Sequence, residues 1–317
     1  MNLNHPIVTV VLPFYNRIHT IEGSLTSVIN QTFINWELLI VDDGSSEEES
    51  KNLTELVIQL KDPRIQVLIQ NKNLGGGAAR NIGMLAAKGQ YIAFLDSDDE
   101  WESDKLERQL AFHRGKSKKL VTYTKSLIHY GVNKKPQAPL PSHAIELGEG
   151  IADYLFVRGG FMPTPSLFGA RSVFINSLFD TKLRRHQDYD FLLSLEQAGC
   201  TFDMINEVLV HIHWEDVGTK AGERFYCPDV SAQFISDRSE LFSIQAAAAF
   251  RLNNVFAPLR RKEGLRKSLY NGFWSDLIRV KLWRVRIVSL SLFIFNSTAL
   301  LRFGLRTYKF VFRSDNV

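Results

Sequence analysis

The sequence predicts an α/β fold, a mainly parallel sheet flanked by helices, followed by a basic helical extension. Three observations lead there. Strand-like and helix-like patterns alternate through the first hundred residues. Each strand-like run is short and apolar, and ends in a cluster of turn-forming or acidic residues. Charge is also unevenly divided. Residues 241–317 hold 14 of the 38 Lys and Arg but only three of the 34 acids, which leaves 24 basic and 31 acidic groups in residues 1–240. Alternation at this spacing implies right-handed crossovers between parallel strands. A weakly acidic front and a strongly basic tail mark regions with different tasks. The expected division is residues 1–225 and residues 226–317.

In chain order, residues 7–12 form a β-branched run closed by Pro13 and Asn16, and a helix-period stretch occupies 20–30. A second apolar run, 36–41, ends at Asp42-Asp43-Gly44-Ser45-Ser46, and Glu47, Glu48 and Glu49 then suit the positive end of a helix. Residues 65–69 are a third strand, 78–88 a helix and 90–95 a fourth strand. The middle is less regular. It has strand-like runs at 120–124 and 127–132, a proline-rich loop at 136–141, a turn-rich run at 159–165 and a helix-like stretch at 189–198.

Composition excludes several classes. With 45% apolar and 23% charged residues among 317, a sizeable core is available and global disorder is not expected. The two cysteines, Cys200 and Cys227, lack metal-type spacing and suit a reducing compartment. Residues 1–6 carry no signal-peptide pattern.

Ligands of such sheets sit at the carboxyl ends of the strands, so the residues after positions 12, 41, 69 and 95 are the candidates. Asp42-Asp43 and Asp96-Ser97-Asp98-Asp99 would repel across one sheet edge unless something positive or hydrogen-bonding is bound. Asp96 and Asp98 are two apart on an extended segment and share a face. They suit a divalent cation that keeps waters and shares phosphate oxygens; the alternative is that the acids cap the helix that follows. Gly75-Gly76-Gly77 opens a helix with small residues, and Arg80 lies within it, which suits close approach to an anion; the alternative is a structural turn with Arg80 paired to one of the acids. No third glycine completes the dinucleotide-binding fingerprint.

Taken together, Pro13-x-Tyr15-Asn16, Asp42-Asp43-Gly44-Ser45, Asn73-x-Gly75 with Ala79-Arg80-Asn81-x-Gly83, and Phe94-Leu95-Asp96-Ser97-Asp98-Asp99 resemble the serial motifs of family 2 glycosyltransferases of the bacterial surface-polysaccharide type. The likeness is strong over residues 5–105, moderate to about 215 and absent beyond. It implies a GT-A fold, a nucleotide-diphosphate sugar donor and an inverting, metal-dependent transfer with Mn2+ or Mg2+. Carried over, Pro13, Tyr15 and Asn16 line the donor pocket, Asp43 or Asp42 holds the nucleoside, Arg80 lies by the diphosphate, Asp96 by the ribose, and Asp98 ligates the metal.

The family places its general base near a helix start well after the metal motif, and the matching stretch is His186-Gln187-Asp188-Tyr189-Asp190. Gln187 stands where the family often has Glu. Asp188 matches the base, Asp190 is the competitor, and a plain helix cap is the bland alternative. His211 and His213 share a strand face, and His213 is expected to help hold the metal, with Lys220 and Arg224 as possible closing groups. Gln-x-x-Arg-Trp, a mark of processive members, does not follow Asp188, which implies single additions.

The tail mixes Trp274, Leu277, Ile278, Val280, Leu282 and Trp283 with Arg279, Lys281, Arg284 and Arg286, and residues 287–301 then run 15 positions without a charge. Spanning a bilayer needs roughly 20 apolar residues, and Ser289, Ser291, Asn296, Ser297 and Thr298 interrupt this run. An amphipathic helix on an anionic leaflet is expected, against a helical packing domain or a dimer interface. No nucleic-acid-binding fold accompanies the charge, so no nucleic acid partner is expected. The expected activity moves a sugar from UDP-hexose or UDP-N-acetylhexosamine to a glycan or lipid-linked saccharide acceptor, in the cytoplasm on the inner face of the plasma membrane. A sugar nucleotidyltransferase and a non-catalytic membrane scaffold are the alternatives. The former should show a Gly-rich loop with a signature Lys after the first strand, and intact acids at 43, 98 and 188 speak against the latter.

Overall fold

The computed structural model describes residues 5–131, 138–214, 227–259, 272–281 and Arg286. Lys220, Arg224 and the uncharged run 287–301 lie outside the described residues. Two compact units emerge: residues 1–145 with 161–214, and residues 146–160 with 215–317.

The first unit begins with β1 (Val8–Phe14), α1 (Ile21–Ile29), β2 (Trp36–Asp42), α2 (Glu47–Leu60), β3 (Ile65–Ile69), α3 (Gly76–Ala86) and β4 (Tyr91–Phe94). It continues with β5 (Glu100–Trp101), α4 (Lys105–His113), β6 (Leu120–Tyr130), β7 (Phe168–Ala170), α5 (Arg171–Ile175), α6 (Gln187–Gln197) and β8 (Thr201–Trp214). One eight-stranded sheet has the order β3-β2-β1-β4-β7-β6-β8-β5. The first four strands are mutually parallel. β7 is antiparallel to β4 and β6, and β5 is antiparallel to β8. The mainly parallel sheet is therefore observed, with two short antiparallel strands.

β1 lies at the centre. Val8, Val10, Leu12 and Phe14 pack on one face with Trp36, Leu38, Ile40, Ala93 and Leu95. On the other face α3 approaches so closely that a Cβ on Gly83 would run into the Val11 side chain. Strands buried on both faces read as continuous apolar runs, which is why they are legible in sequence.

The runs expected at 120–124 and 127–132 form one strand, β6. Its parallel pairing with β8 shifts register around Lys125, where Thr124↔Ile205 gives way to Lys125↔Val208 and Ser126↔Val210. A bulge absorbs the residues that break the alternation, so pairing continues through Tyr130.

The second unit contains a π-helical turn (Asp153–Val157), α7 (Pro228–Asp237), α8 (Ile244–Arg251) and α9 (Phe273–Arg279). Its core is aromatic. Phe156 stacks on Phe242 with centroids 5.5 Å apart and meets Phe250 edge-on at 5.1 Å. Ser243 caps α8 by accepting from Ala246 N at 3.0 Å and donates to Asp153 at 2.6 Å.

Candidate active site

The strand order reverses between β1 and β4, the switch point where open α/β sheets bind ligands. The pairing differs on the two sides of β1. β1 stays with β2 through Phe14↔Asp42, while the β1–β4 ladder ends at Val11↔Phe94. Pro13, which has no N–H to donate, lies just beyond that last pair.

The loop after β1 is held in a defined shape. Asn16 adopts a left-handed conformation, φ 49°. Its N–H donates to Ser45 Oγ at 3.0 Å and its Oδ1 accepts from Ser46 N at 2.9 Å. Ser46 also caps α2 by accepting from Glu49 N, and the Glu49 carboxylate accepts from Ile18 N at 3.0 Å. The β1 loop and the α2 start thus brace each other. Tyr15 is left exposed at the rim.

Asp42 and Asp43 are both buried, and they face different tasks. Asp42 accepts from Ser45 N at 3.0 Å and from the Ser50 hydroxyl, closing the turn into α2. Asp43 accepts from Leu74 N at 2.8 Å, Gly75 N at 2.7 Å and Gln70 Nε2 at 3.1 Å, pinning the glycine loop. Gly44 is required where these loops meet. Its φ is +70°, and a Cβ would collide with the Lys72 backbone.

Arg80 rises from α3 as a buried cation whose Nη2 pairs with Asp96. Its guanidinium lies 5.6 Å from the Phe179 ring centroid, and its Nε has no hydrogen-bond partner. Asp98 pairs with Arg17. The backbone of this loop is fastened to α1: Thr20 Oγ1 donates to Ser97 O at 2.9 Å and Ser24 Oγ to Asp99 O at 2.7 Å. With the carbonyls held this way, Asp96 and Asp98 remain partly exposed on the ligand side.

Asp99 lies beneath them, buried, and accepts from His213 N at 3.0 Å. Burial pushes its carboxyl well above the usual range, the charges of Asp96 and Asp98 add to this, and the His213 N–H and Arg80 oppose it. Among the described residues no three His, Cys, Asp or Glu side chains converge to hold a metal by themselves. The donor set fits a hard cation bound through one or two carboxylates, with waters and phosphate oxygens supplying the rest.

Asp188 sits in the first turn of α6, where a helix start favours an anion. Burial raises its carboxyl, while backbone N–H groups of Tyr189 and its own residue hold it down. Arg80 lowers it and Asp96 raises it, so this carboxylate shares the field of the other two. Asp190, the competitor, is buried, and its N–H bonds to His186 O at 2.9 Å. His186 caps the helix at φ 60°, and burial drops its ring to about 3. Gln187 Oε1 is buried without a partner, close to where a Cβ on Gly77 would stand.

Arg80, Asp96 and Asp188 therefore share one electrostatic field, Asp98 lies beside them on the loop 96–99, and Asp42 and Asp43 fix the neighbouring loops. The His213 ring is occupied elsewhere. It stacks on His129 with centroids 4.8 Å apart and lies 3.7 Å from Glu100, so only its backbone touches the acid cluster. Arg17 received no role from sequence. Its place at the end of the Pro13-x-Tyr15-Asn16 turn, at the same sheet edge as the acids, was the available signal.

The model described as glycosyl transferase family 2 matches residues 9–177, more than half the chain. The amylovoran biosynthesis glycosyltransferase AmsB of Erwinia amylovora is 32% identical over 214 residues, 65% of this chain and 69% of that protein. WfgD of Escherichia coli, a UDP-Glc:α-D-GlcNAc-diphosphoundecaprenol β-1,3-glucosyltransferase, is 44% identical over 105 residues. That match covers 33% of this chain and 40% of WfgD, less than half its length. The crystal structure of S. aureus TarS 1-349 in complex with UDP-GlcNAc matches with a TM-score of 0.61 at 14% identity, covering 98% of this chain and 93% of that one. A likeness at that identity shows the fold, GT-A.

Proposed function

The chain belongs to glycosyl transferase family 2, and from that premise we propose that this glycosyltransferase adds one sugar per cycle, with inversion, to a glycan or lipid-linked saccharide during assembly of a cell-surface polysaccharide. The proposed donor is UDP-hexose or UDP-N-acetylhexosamine, supported by the UDP-Glc and UDP-GlcNAc named for the similar proteins. The observation that carries the reading is the Asp188 carboxylate, held at a helix start within the fields of both Arg80 and Asp96.

An acceptor hydroxyl gives its proton to Asp188 as its oxygen bonds the anomeric carbon. The bond from that carbon to the diphosphate breaks, and its electron pair leaves with the diphosphate. Burial makes Asp188 a better proton acceptor than a free carboxylate. Arg80 and Arg17, paired with Asp96 and Asp98, would turn to phosphate oxygens. Mn2+ or Mg2+, when bound, supplies Lewis-acid screening of the diphosphate. Asp98 would hold it with Asp96 beside it, and His213 would join only by leaving His129 and Glu100. Pro13, Tyr15 and Asn16 would receive the base, with Asp43 setting the wall behind it.

We assign the transfer to residues 1–225 and membrane attachment to residues 226–317, on the anionic inner face of the plasma membrane. No helix of the described residues is long and apolar enough to cross a membrane. Isothermal titration of UDP with Mn2+, and again with chelator, tests the donor site. Metal-dependent binding, followed by turnover of a UDP-sugar, is expected. Binding of GDP or dTDP instead would replace the donor but keep the transfer, and no nucleotide binding at all would overturn the reading.

A further inference from the structure

The second unit exposes large apolar side chains, one of which, Trp274, also meets the buried Phe273 ring edge-on at 5.3 Å. Ile244 at the start of α8 is 74% exposed, and Trp274 and Ile278 on α9 are 53% and 73% exposed. Trp274 and Ile278 are four apart and lie on one helix face. Beside Ile244 is a groove of about 360 Å3, lined by Phe242, Ile244 and Ala247 with Ser239, Ser243, Arg251 and Arg279. Arg251 donates to Asp276 at 2.6 and 2.8 Å, and Arg279 reaches the same carboxylate at 3.2 Å. Two guanidiniums thus share one buried acid. The Arg279 side chain is more than half exposed, and the Asp153 carboxylate is engaged by Ser243 on the groove's wall.

We propose that this face of α8 and α9 seats the protein on an anionic phospholipid surface, with Ile244, Trp274 and Ile278 entering the acyl boundary and a lipid phosphate meeting Arg279 and Arg251 in the groove. Charge complementarity selects this occupant. The stretches flanking α9 in sequence carry Arg260, Arg261, Lys262, Arg266 and Lys267 on one side and Arg284 and Arg286 on the other, with Glu263 as the single acid. Apolar anchors within a basic stretch of sequence are what an anionic interface binds, each apolar side chain and each cation adding to the attraction. A tryptophan with its body apolar and its N–H free suits headgroup depth. A protein partner would need no such run of one charge sign. The inference rests on the membrane-surface part of the proposed function and is independent of the transfer chemistry.

The test uses the full chain and vesicles of phosphatidylcholine alone or mixed equally with phosphatidylglycerol. Sedimentation with the mixed vesicles and not with phosphatidylcholine, weakened by salt, is expected. The double variant Trp274→Ser, Ile278→Ser should lower partitioning by about tenfold or more, because two anchoring side chains are lost. Arg279→Glu should lower it by about tenfold at low salt. Brominated lipid should quench part of the wild-type fluorescence, and that part should fall in Trp274→Phe, a conservative aromatic replacement. Unchanged partitioning of the double variant, or absence of binding by the wild type, overturns the proposal. So does a change of oligomeric state with vesicle binding intact, which would make this face an interface between copies. Vesicle binding by a wild type that turns over no nucleotide sugar would sink the transferase reading and leave this one standing.

Discussion

The two ends of the central sheet treat polar groups in opposite ways. At the amino end, Glu37 is buried and committed to the fold: its Oε1 accepts from Thr9 Oγ1 at 2.6 Å and from Lys88 N at 2.7 Å, and Thr9 in turn accepts from Gly89 N at 2.9 Å. At the carboxyl end, Asp96 and Asp98 stay partly exposed, each paired with an arginine, and Arg80 Nε and Gln187 Oε1 are buried without partners. A satisfied buried network contributes stability and register, whereas unpaired buried polar atoms cost free energy until something binds. Trp36 Nε1, at the amino end, is buried without a partner as well, so the contrast lies in the carboxylates: Glu37 accepts from fixed backbone and hydroxyl donors, whereas Asp96 and Asp98 pair with side-chain cations and stay partly exposed.

Substitutions sharpen that contrast in order of effect. Asp188→Asn should cut transfer by about a thousandfold or more, since the proton acceptor is lost, while UDP affinity and Tm stay close to wild type. Near-normal turnover would move the base to Asp190. Asp98→Ala should weaken UDP binding in Mn2+ by about tenfold or more and make it indifferent to chelator. Binding that still answers to chelator would place the metal elsewhere. At the other end, Glu37→Ala strands Thr9 and the Lys88 N–H and should cost about 3 kcal/mol in urea denaturation. Its UDP affinity, measured on the folded fraction, should be unchanged; a loss there would break the division between the two ends.

Much of this was legible in sequence because parallel strands buried on both faces leave uninterrupted apolar runs, and because glycine, proline and acids mark their ends. Adjacency did not resolve the Asp42-Asp43 pair. Both are buried, and only the meeting of the α2 start with the glycine loop decides which backbone each one serves. β6 looked like two strands because the bulge that joins them is set by its partner β8, far along the chain. His211 and His213 do share a face, but pattern could not foresee that His129 on β6 would sit against both rings. Residues 146–160 look like part of the irregular middle. Phe156 belongs with Phe242 and Phe250 through aromatic packing, a choice that shape makes and composition does not.

The smallest effect probes the acid beneath the crevice. Asp99 is raised first by burial and then by Asp96 and Asp98, so the folded state holds its proton more tightly than the unfolded state does. Below the unfolded pKa both states are protonated and nothing is lost. As pH climbs from there to the raised folded value, the unfolded chain has released its proton and the folded one has not, so stability falls. Asp99→Asn keeps an oxygen able to accept from His213 N and removes this ionisation. Its Tm should exceed the wild type's at neutral pH, and the gain should fade as the solution is brought down toward the ordinary carboxylate range. Saturating Mn2+ and UDP should shrink the gain as well, because a bound cation offsets the charges that raise Asp99. A gain that is flat across pH would mean that packing at residue 99, and not its charge, sets the difference between the two ends of the sheet.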